Sequence, residues 1–257
     1  MSGRLEAELR AKRAAGRKLL VPYVTGGLRG WEEAIRAAAA SGADAVEIGI
    51  PFSDPVMDGP VIQAASQQAL DDGATPPAIL DAARHLDVGI PLVVMTYYNT
   101  VHHAGHERFA AQLEASGISG AIVPDLPLEE AGPWCLAADD AGVETVLLAA
   151  PTAPDERLPR ICARARGFVY SVGLLGVTGE RKQLAATASA LAARLKAITD
   201  LPVLVGVGVS DAAQAAEAVL VADGVVQGAS VVRRLMEHGP DAVGDYVAEV
   251  RSALDRR

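Results

Sequence analysis

The segment Leu19-Leu20-Val21-Pro22-Tyr23-Val24-Thr25 is short, apolar and rich in β-branched and aromatic residues, which favour a β-strand. An Ala-rich stretch with helical periodicity, Trp31–Ser41, follows it, and a second apolar segment comes next. This alternation continues to the end of the chain. Eight segments are predicted as strands: Leu19–Thr25, Ala43–Ile50, Pro91–Tyr97, Gly120–Pro124, Val143–Ala150, Gly167–Val172, Pro202–Gly206 and Gly224–Gly228.

Amphipathic stretches between these strands are long enough to form helices that cross back over a sheet. The predicted helices include Trp31–Ser41, Pro77–Leu86, Glu107–Ser116, Leu128–Ala141, Gln183–Thr199 and Ala212–Val221. Strands that alternate with helices in this way pair in parallel. Eight such units in 257 residues predict an α/β fold, the (β/α)8 TIM barrel, which typically takes ~250 residues.

A doubly wound sheet is the competing fold. Its dinucleotide-binding form requires G-x-G-x-x-G after the first strand, and Gly26-Gly27-Leu28-Arg29-Gly30 does not match. Because no linker divides the chain, we expect residues 1–257 to form a single barrel domain. Two further helices are predicted: an extra N-terminal helix, with Leu5 and Leu9 on one face and Gly16 at its end, and a short helix after strand eight, Val231–His238.

Composition excludes several functions. The chain has 32 acidic and 23 basic residues and 4% aromatic residues, which disfavours binding to nucleic acid. Cys135 and Cys162 form no C-x-x-C motif, which argues against a zinc or disulfide site. No apolar run approaches the ~20 residues of a membrane span. We therefore expect a cytoplasmic protein that binds neither nucleic acid nor membrane.

A carboxylate stands on the second predicted strand, near the end where catalytic groups of such barrels collect. Alternation along the strand turns Val46 and Ile48 toward the helices and Glu47 into the barrel. Small neighbours would leave Glu47 partly desolvated, which raises its pKa and suits proton exchange near neutral pH. The alternative is a structural Glu paired with a Lys or Arg.

A stiff loop, Pro51–Pro60, follows with three prolines and brings a second carboxylate, Asp58, eleven residues after Glu47. Its setting between prolines favours a placed functional group, and a solvated loop aspartate is the alternative. Two carboxylates at one barrel mouth predict acid–base chemistry.

Glycines and helix starts after strands seven and eight predict an anion site. Gly206-Val207-Gly208 precedes one helix, and Gly228-Ala229-Ser230 opens another. Glycines allow a ligand close to the backbone, helix N-terminal amides attract phosphate, and barrels often bind phosphate in these two loops. Gly-Val-Gly alone is also consistent with an ordinary turn.

Two further segments are ambiguous. Three glycines stand among the seven residues Gly173–Gly179, which makes Leu174–Lys182 a candidate lid, with a plain surface loop as the alternative. His102, His103 and His106 are expected in a solvated or interface loop, because no carboxylate or Cys stands at metal-ligand spacing.

Several blocks resemble, in the same order, those of the tryptophan synthase α subunits. The most specific is Glu47-Ile48-Gly49-Ile50-Pro51-Phe52-Ser53-Asp54-Pro55, followed by Asp58-Gly59-Pro60-Val61-Ile62-Gln63. Asp125–Glu130 and Gly176–Gly179 are similar to further blocks, and the resemblance spans nearly the whole chain. It implies cleavage of indole-3-glycerol phosphate to indole and glyceraldehyde 3-phosphate, without metal or organic cofactor. It also implies a β subunit as partner, in an α2β2 heterotetramer that receives the indole.

The resemblance implies roles for individual residues. Glu47 would be the general acid and base, protonating indole C3 and accepting a proton from the glycerol hydroxyl. Asp58 would hold the indole N–H and stabilise positive charge on the ring. The implied substrate-binding residues are Tyr23 and Met95 on the indole ring, Tyr170 beside Glu47, Thr178 of the lid against Asp58, and Gly179, Gly208, Gly228, Ala229 and Ser230 around the phosphate.

Some residues depart from the family pattern. Ala229 stands where a Ser is usual, which leaves the phosphate to backbone amides or to the hydroxyl of Ser230. Other departures, among them Thr100 and Met57, lie near the face that meets the β subunit in the family. The alternatives are a stand-alone lyase that releases free indole, a non-catalytic barrel that activates a β subunit, and another phosphate-sugar barrel enzyme.

Overall fold

A closed parallel barrel forms the centre of the molecule in the computed structural model, which describes residues 3–173, 181–206 and 209–256. Its strands are β1 (Leu19–Thr25), β2 (Val46–Gly49), β3 (Leu92–Met95), β4 (Ile118–Ile122), β5 (Glu144–Ala149), β6 (Val169–Ser171), β7 (Val203–Val205) and β8 (Gly224–Gln227). Neighbours in sequence pair in parallel, and β8 closes on β1, so no strand edge is left unpaired. The predicted eight-stranded barrel is confirmed.

Helices surround this barrel and connect its strands. Their bounds are α1 (Arg4–Ala14), α2 (Trp31–Ala40), α3 (Pro60–Asp71), α4 (Pro76–Ala83), α5 (Tyr98–Ala104), α6 (His106–Ala115), α7 (Gly132–Asp140), α8 (Arg157–Arg164), α9 (Arg181–Lys196), α10 (Ala212–Ala218), α11 (Ala229–His238) and α12 (Pro240–Asp255). The predicted helices all occur with shifted ends. The helix after the eighth strand begins at Ala229, two residues before its predicted start.

The N-terminal helix α1 closes the end of the barrel at which the strands begin. Leu5 and Leu9 of α1 are fully buried, as their spacing predicts. The Leu5 side chain lies so close to Gly120 and Gly167 that a Cβ at either glycine would come within 3 Å of it. These two glycines therefore make room for the leucine that fills this end.

Buried carboxylates fasten α1 to the barrel. Glu144 of β5 accepts hydrogen bonds from the backbone N–H groups of Leu5 (2.7 Å) and Glu6 (3.0 Å), and so caps the helix from a distant strand.

At the other end of α1, Arg13 pairs with Asp223 at 3.3 Å. Asp44, fully buried, pairs with Lys12 at 3.2 Å and with Arg17, just beyond the helix, at 2.7 Å. The end of the barrel opposite the mouth is thus held by charge pairs.

Among the helices of the described residues, none combines the length and the apolar composition needed to cross a bilayer.

Replacing Glu144 with Ala should lower the free energy of unfolding by about 2 kcal/mol, because two buried N–H groups of α1 would lose their acceptor. Urea denaturation measures this change. Glu8→Ala on the same helix is the matched control, since it removes only a surface pair with Arg4, worth under about 1 kcal/mol. Equal losses in the two variants would contradict the capping role.

Candidate active site

A cavity of about 420 Å³ opens at the mouth of the barrel, where the strands end. It brings together eight of the predicted site residues: Tyr23, Glu47, Asp58, Met95, Tyr170, Gly228, Ala229 and Ser230. Thr178, Gly179 and Gly208 lie outside the described residues, as does most of the predicted lid. The cavity therefore collects residues from separate strands and loops at one place.

Glu47 lies on the inner wall of the barrel, on β2, and is 4% exposed. Its strand register places it beside Tyr23 of β1 and Val93 of β3. The Oε2 atom has no hydrogen-bond partner, and no Lys or Arg in the described ranges forms an ion pair with this carboxyl. The described residues therefore do not form the structural ion pair considered from sequence.

Burial of the Glu47 carboxyl, and secondarily the negative charge of Asp58, raises its pKa to about 8. Glu47 is consequently mostly protonated at neutral pH in the unliganded protein. A carboxylic acid in this state can donate a proton to a ligand in the cavity and take one back.

Two tyrosines flank Glu47, and each lies against a glycine of the neighbouring strand or its end. A Cβ on Gly49 would overlap the Tyr23 hydroxyl, and a Cβ on Gly206 would overlap the Tyr170 hydroxyl. Both rings therefore lie across the barrel interior only because these positions carry no side chain. Burial, together with the Glu47 charge, raises the pKa of Tyr170, so that its hydroxyl stays neutral.

Asp58 lies at the rim of the cavity and is held by Tyr97, which directly precedes α5. The Tyr97 hydroxyl donates to Asp58 Oδ2 at 3.1 Å and accepts from the Met57 backbone N–H at 3.0 Å. The Tyr97 ring also stacks on Phe52, with centroids 5.1 Å apart. Burial raises the pKa of Asp58, and the Tyr97 hydrogen bond opposes that rise. Asp58 is thus a fixed, partly buried carboxyl rather than a solvated loop residue.

Tyr97 was not among the predicted site residues. The signal that could have found it is the one that singled out Glu47, a polar group at the mouth end of a barrel strand, two residues after Met95. Its contact with Asp58 joins residues 39 positions apart. Only the closed barrel brings these two loops together.

The N-terminus of α11 forms another part of the cavity wall. Its first backbone N–H groups, at Ala229 and Ser230, have no acceptor within the helix and lie at the cavity wall. The Ser230 hydroxyl donates to the Ser210 carbonyl at 2.9 Å, so that proton is not available to a phosphate. The Ser230 backbone N–H lies at the cavity wall as well, and the role of Ser230 in binding phosphate stays a prediction.

The histidine segment is helical, which corrects its predicted loop. His102 and His103 belong to α5 and His106 begins α6, with only Gly105 between them at a φ of +85°. Asp125 caps α5 by accepting from the Tyr98 N–H at 2.8 Å, a contact that no local pattern reveals. His106 Nε2 shares a hydrogen bond with the Tyr98 hydroxyl at 3.0 Å. Within the described ranges, no group of three or more His, Cys, Asp or Glu side chains is placed to hold a metal ion.

Comparison with known proteins gives one consistent family. The model of the tryptophan synthase alpha chain family matches residues 9–253. The tryptophan synthase alpha chain of Thermobifida fusca is 44% identical, with 97% of each chain covered, and that of Streptomyces coelicolor is 44% identical, with 95% of this chain and 93% of the relative covered. A tryptophan synthase structure from Mycobacterium tuberculosis superimposes with a TM-score of 0.91 at 37% identity and covers 99% of both chains. The alpha chain of Legionella pneumophila gives a TM-score of 0.89 at 31% identity, over 100% of this chain and 98% of that one.

The raised pKa of Glu47 predicts a pH-dependent gain in stability for Glu47→Gln. Between the ordinary pKa of 4.5 and the folded value of about 8, the unfolded chain ionises this group while the folded chain keeps its proton. Wild-type stability therefore falls by up to about 1.4 kcal/mol per pH unit in this window. Thermal melts at pH 8 should give the Gln variant a Tm higher by at least about 3 °C, and at pH 4 the difference should vanish.

Glu114→Gln, on an exposed face of α6, is the control for this comparison. A Glu47→Gln variant that is no more stable than wild type at pH 8 would mean that the Glu47 carboxyl ionises in the folded protein as easily as in the unfolded chain.

Proposed function

The chain belongs to the tryptophan synthase alpha chain family, a family of carbon–carbon lyases, and we propose that Glu47 and Asp58 perform its reaction in the barrel cavity. The reaction is the cleavage of indole-3-glycerol phosphate to indole and glyceraldehyde 3-phosphate. The observation that carries this assignment is the buried Glu47 carboxyl, unpaired and protonated at neutral pH, facing a cavity with Asp58 at its rim.

The proposed chemistry uses one carboxyl group twice, first as an acid and then as a base. Protonated Glu47 gives its proton to C3 of the indole ring, and the ring becomes positively charged while its N–H donates to Asp58. The resulting Glu47 carboxylate then takes the proton of the hydroxyl on the carbon attached to C3. As that hydroxyl becomes an aldehyde, the C3–carbon bond breaks and its electron pair returns to the ring, which releases indole.

Each part of this scheme depends on a feature of the site. A group that donates and accepts in one cycle works best with a pKa near the working pH, as Glu47 has. A fixed carboxylate beside the ring nitrogen stabilises charge that develops there, and Tyr97 holds Asp58 for this purpose.

The cavity suits the two ends of the substrate. Its inner wall carries Tyr23, Met95 and Ile122, an apolar and aromatic surface for the indole ring. The N-terminus of α11 faces the cavity from β8 and would bind the phosphate through backbone N–H groups. Thr178, Gly179 and Gly208 are proposed to complete the lid and the phosphate site. Binding at both ends orients the bond to be cleaved over Glu47.

Chains of this family pair with a β subunit, and we propose that docking occurs at the barrel mouth so that indole passes onward. Val56, in the loop that holds Asp58, is 73% exposed, which suits a surface covered by a partner. We further propose that residues 1–257 act as one domain in the cytoplasm, consistent with the unpaired cysteines Cys135 and Cys162.

Indole release from indole-3-glycerol phosphate, measured with and without a β subunit, tests this function. We expect release by the wild type, stimulation by the β subunit, and a loss of at least ~10²-fold in turnover for Glu47→Gln, which can neither donate nor accept the proton. Strong release that the β subunit does not change would favour the stand-alone lyase. No release under either condition would refute the proposed reaction.

Asp58→Asn should reduce turnover by at least ~10²-fold, because the neutral amide no longer offsets the charge on the ring. Calorimetric binding of glycerol 3-phosphate should stay within a few-fold of wild type, since the proposed phosphate site consists of backbone N–H groups at the start of α11 and does not use the Asp58 carboxyl. Tyr97→Phe, which keeps the ring but removes the donor to Asp58, is expected to give a smaller loss. If Asp58→Asn abolished glycerol 3-phosphate binding, Asp58 would be a structural residue.

A further inference from the structure

Two loops from neighbouring strands meet at the α11 end of the cavity, and one hydroxyl joins them. Ser230, in the first turn of α11, donates through Oγ to the Ser210 carbonyl oxygen at 2.9 Å. The bond connects residues twenty positions apart, and Ser230 is only 6% exposed. Val209, next to Ser210, also lines the cavity. The width of this end of the cavity therefore depends on how the two loops are held together.

Ser210, whose carbonyl oxygen accepts this bond, is itself held by further hydrogen bonds. The backbone N–H and the hydroxyl of Ser210 both donate to Gln214 Oε1, at 2.8 and 2.9 Å. The Gln214 N–H in turn donates to Asp211 Oδ1 at 2.8 Å, which caps α10. Ser210 is thus fixed to the first turn of α10, and its carbonyl presents a defined acceptor to Ser230.

The donor side is held as well. Arg234, one turn along α11, donates through Nη1 to the Ser230 carbonyl at 3.0 Å. Its guanidinium carbon lies 3.7 Å from the centre of the Tyr246 ring of α12, a cation–π contact. Arg234, which packs on α12, therefore holds the first turn of α11. The Ser230 hydroxyl connects this turn to the loop that precedes α10.

We propose that Ser230 is a positioning residue for the phosphate of the substrate, an inference that rests on the function proposed above. Its hydroxyl holds the Val209–Ser210 loop against the N-terminus of α11, so that this loop and the helix N-terminus border the same anion. Ala229 exposes only a methyl group at the cavity, so the phosphate is bound through backbone N–H groups. A site built from backbone groups depends on the spacing of its loops, which the Ser230 bond sets.

Calorimetric binding of glycerol 3-phosphate to the full chain tests this inference with four variants. Ser230→Ala removes the bond and should weaken binding by about three- to tenfold, the effect of one lost hydrogen bond. Ser230→Thr keeps a hydroxyl and should bind within about twofold of wild type. Gln214→Ala loosens the acceptor loop and should weaken binding in the same direction. Ser116→Ala, at a buried serine that follows α6, is the matched control and should not change binding.

Kinetics separate positioning from a general structural role. Ser230→Ala should raise KM for indole-3-glycerol phosphate in proportion to the loss of glycerol 3-phosphate affinity, and leave kcat within about twofold. Binding of free indole, which occupies the other end of the cavity, should be unchanged. A parallel loss of indole binding would show that Ser230 only supports the fold of the barrel mouth, and would overturn the proposal.

The remaining outcomes distinguish this inference from the proposed function. Unchanged glycerol 3-phosphate binding in Ser230→Ala, equally weak binding in Ser230→Ala and Ser230→Thr, or no binding by wild type would each overturn the positioning role. Cleavage of indole-3-glycerol phosphate by wild type would leave the proposed function standing in each case. Conversely, Ser230-dependent binding without any cleavage would support the anion site and refute the lyase function.

Discussion

The site depends on one costly arrangement, a carboxyl group buried in an apolar barrel with no Lys or Arg of the described residues paired to it. Glu47 is almost fully buried, and its Oε2 atom lacks a hydrogen-bond partner. Burying an ionised carboxylate in this way is so unfavourable that the group keeps its proton instead. The consequence is a neutral acid at neutral pH. The tyrosines near it, Tyr23 and Tyr170, are neutral as well, and the charge that acts on it is the negative one of Asp58.

Two buried carboxylates at opposite ends of the barrel, Asp223 and Glu47, have pKa values shifted in opposite directions. Burial alone would raise the pKa of Asp223 at the closed end, but the hydrogen bond from Lys196 and the charge of Arg13 bring it below its ordinary value. Glu47 at the open end has no such partner among the residues that the structure describes, and its pKa is raised. Charge pairs thus stabilise the end covered by α1, while the carboxyl proposed as catalytic at the mouth has no cation partner in the described part of the chain. This division is the one expected for a barrel enzyme.

Short-range sequence patterns predicted the features that depend on residues close together in the chain. Alternation along β2 was enough to place Glu47 inside, because side chains of a strand point to opposite faces. The spacing of Leu5 and Leu9 was enough to predict α1 and its buried face. Contacts between distant loops could not be predicted in this way. The bond from Tyr97 to Asp58 and that from Ser230 to Ser210 exist because the closed barrel brings separate loops together.

The fit of Tyr23 against Gly49, and of Tyr170 against Gly206, has an evolutionary consequence. Each pair occupies a space that holds one ring and no second side chain. A relative that gains a methyl group at the glycine position must shrink or move its aromatic partner in the same lineage. Residues 23 and 49, like 170 and 206, should therefore covary among related sequences, and the shape of the cavity should diverge through paired replacements rather than single ones.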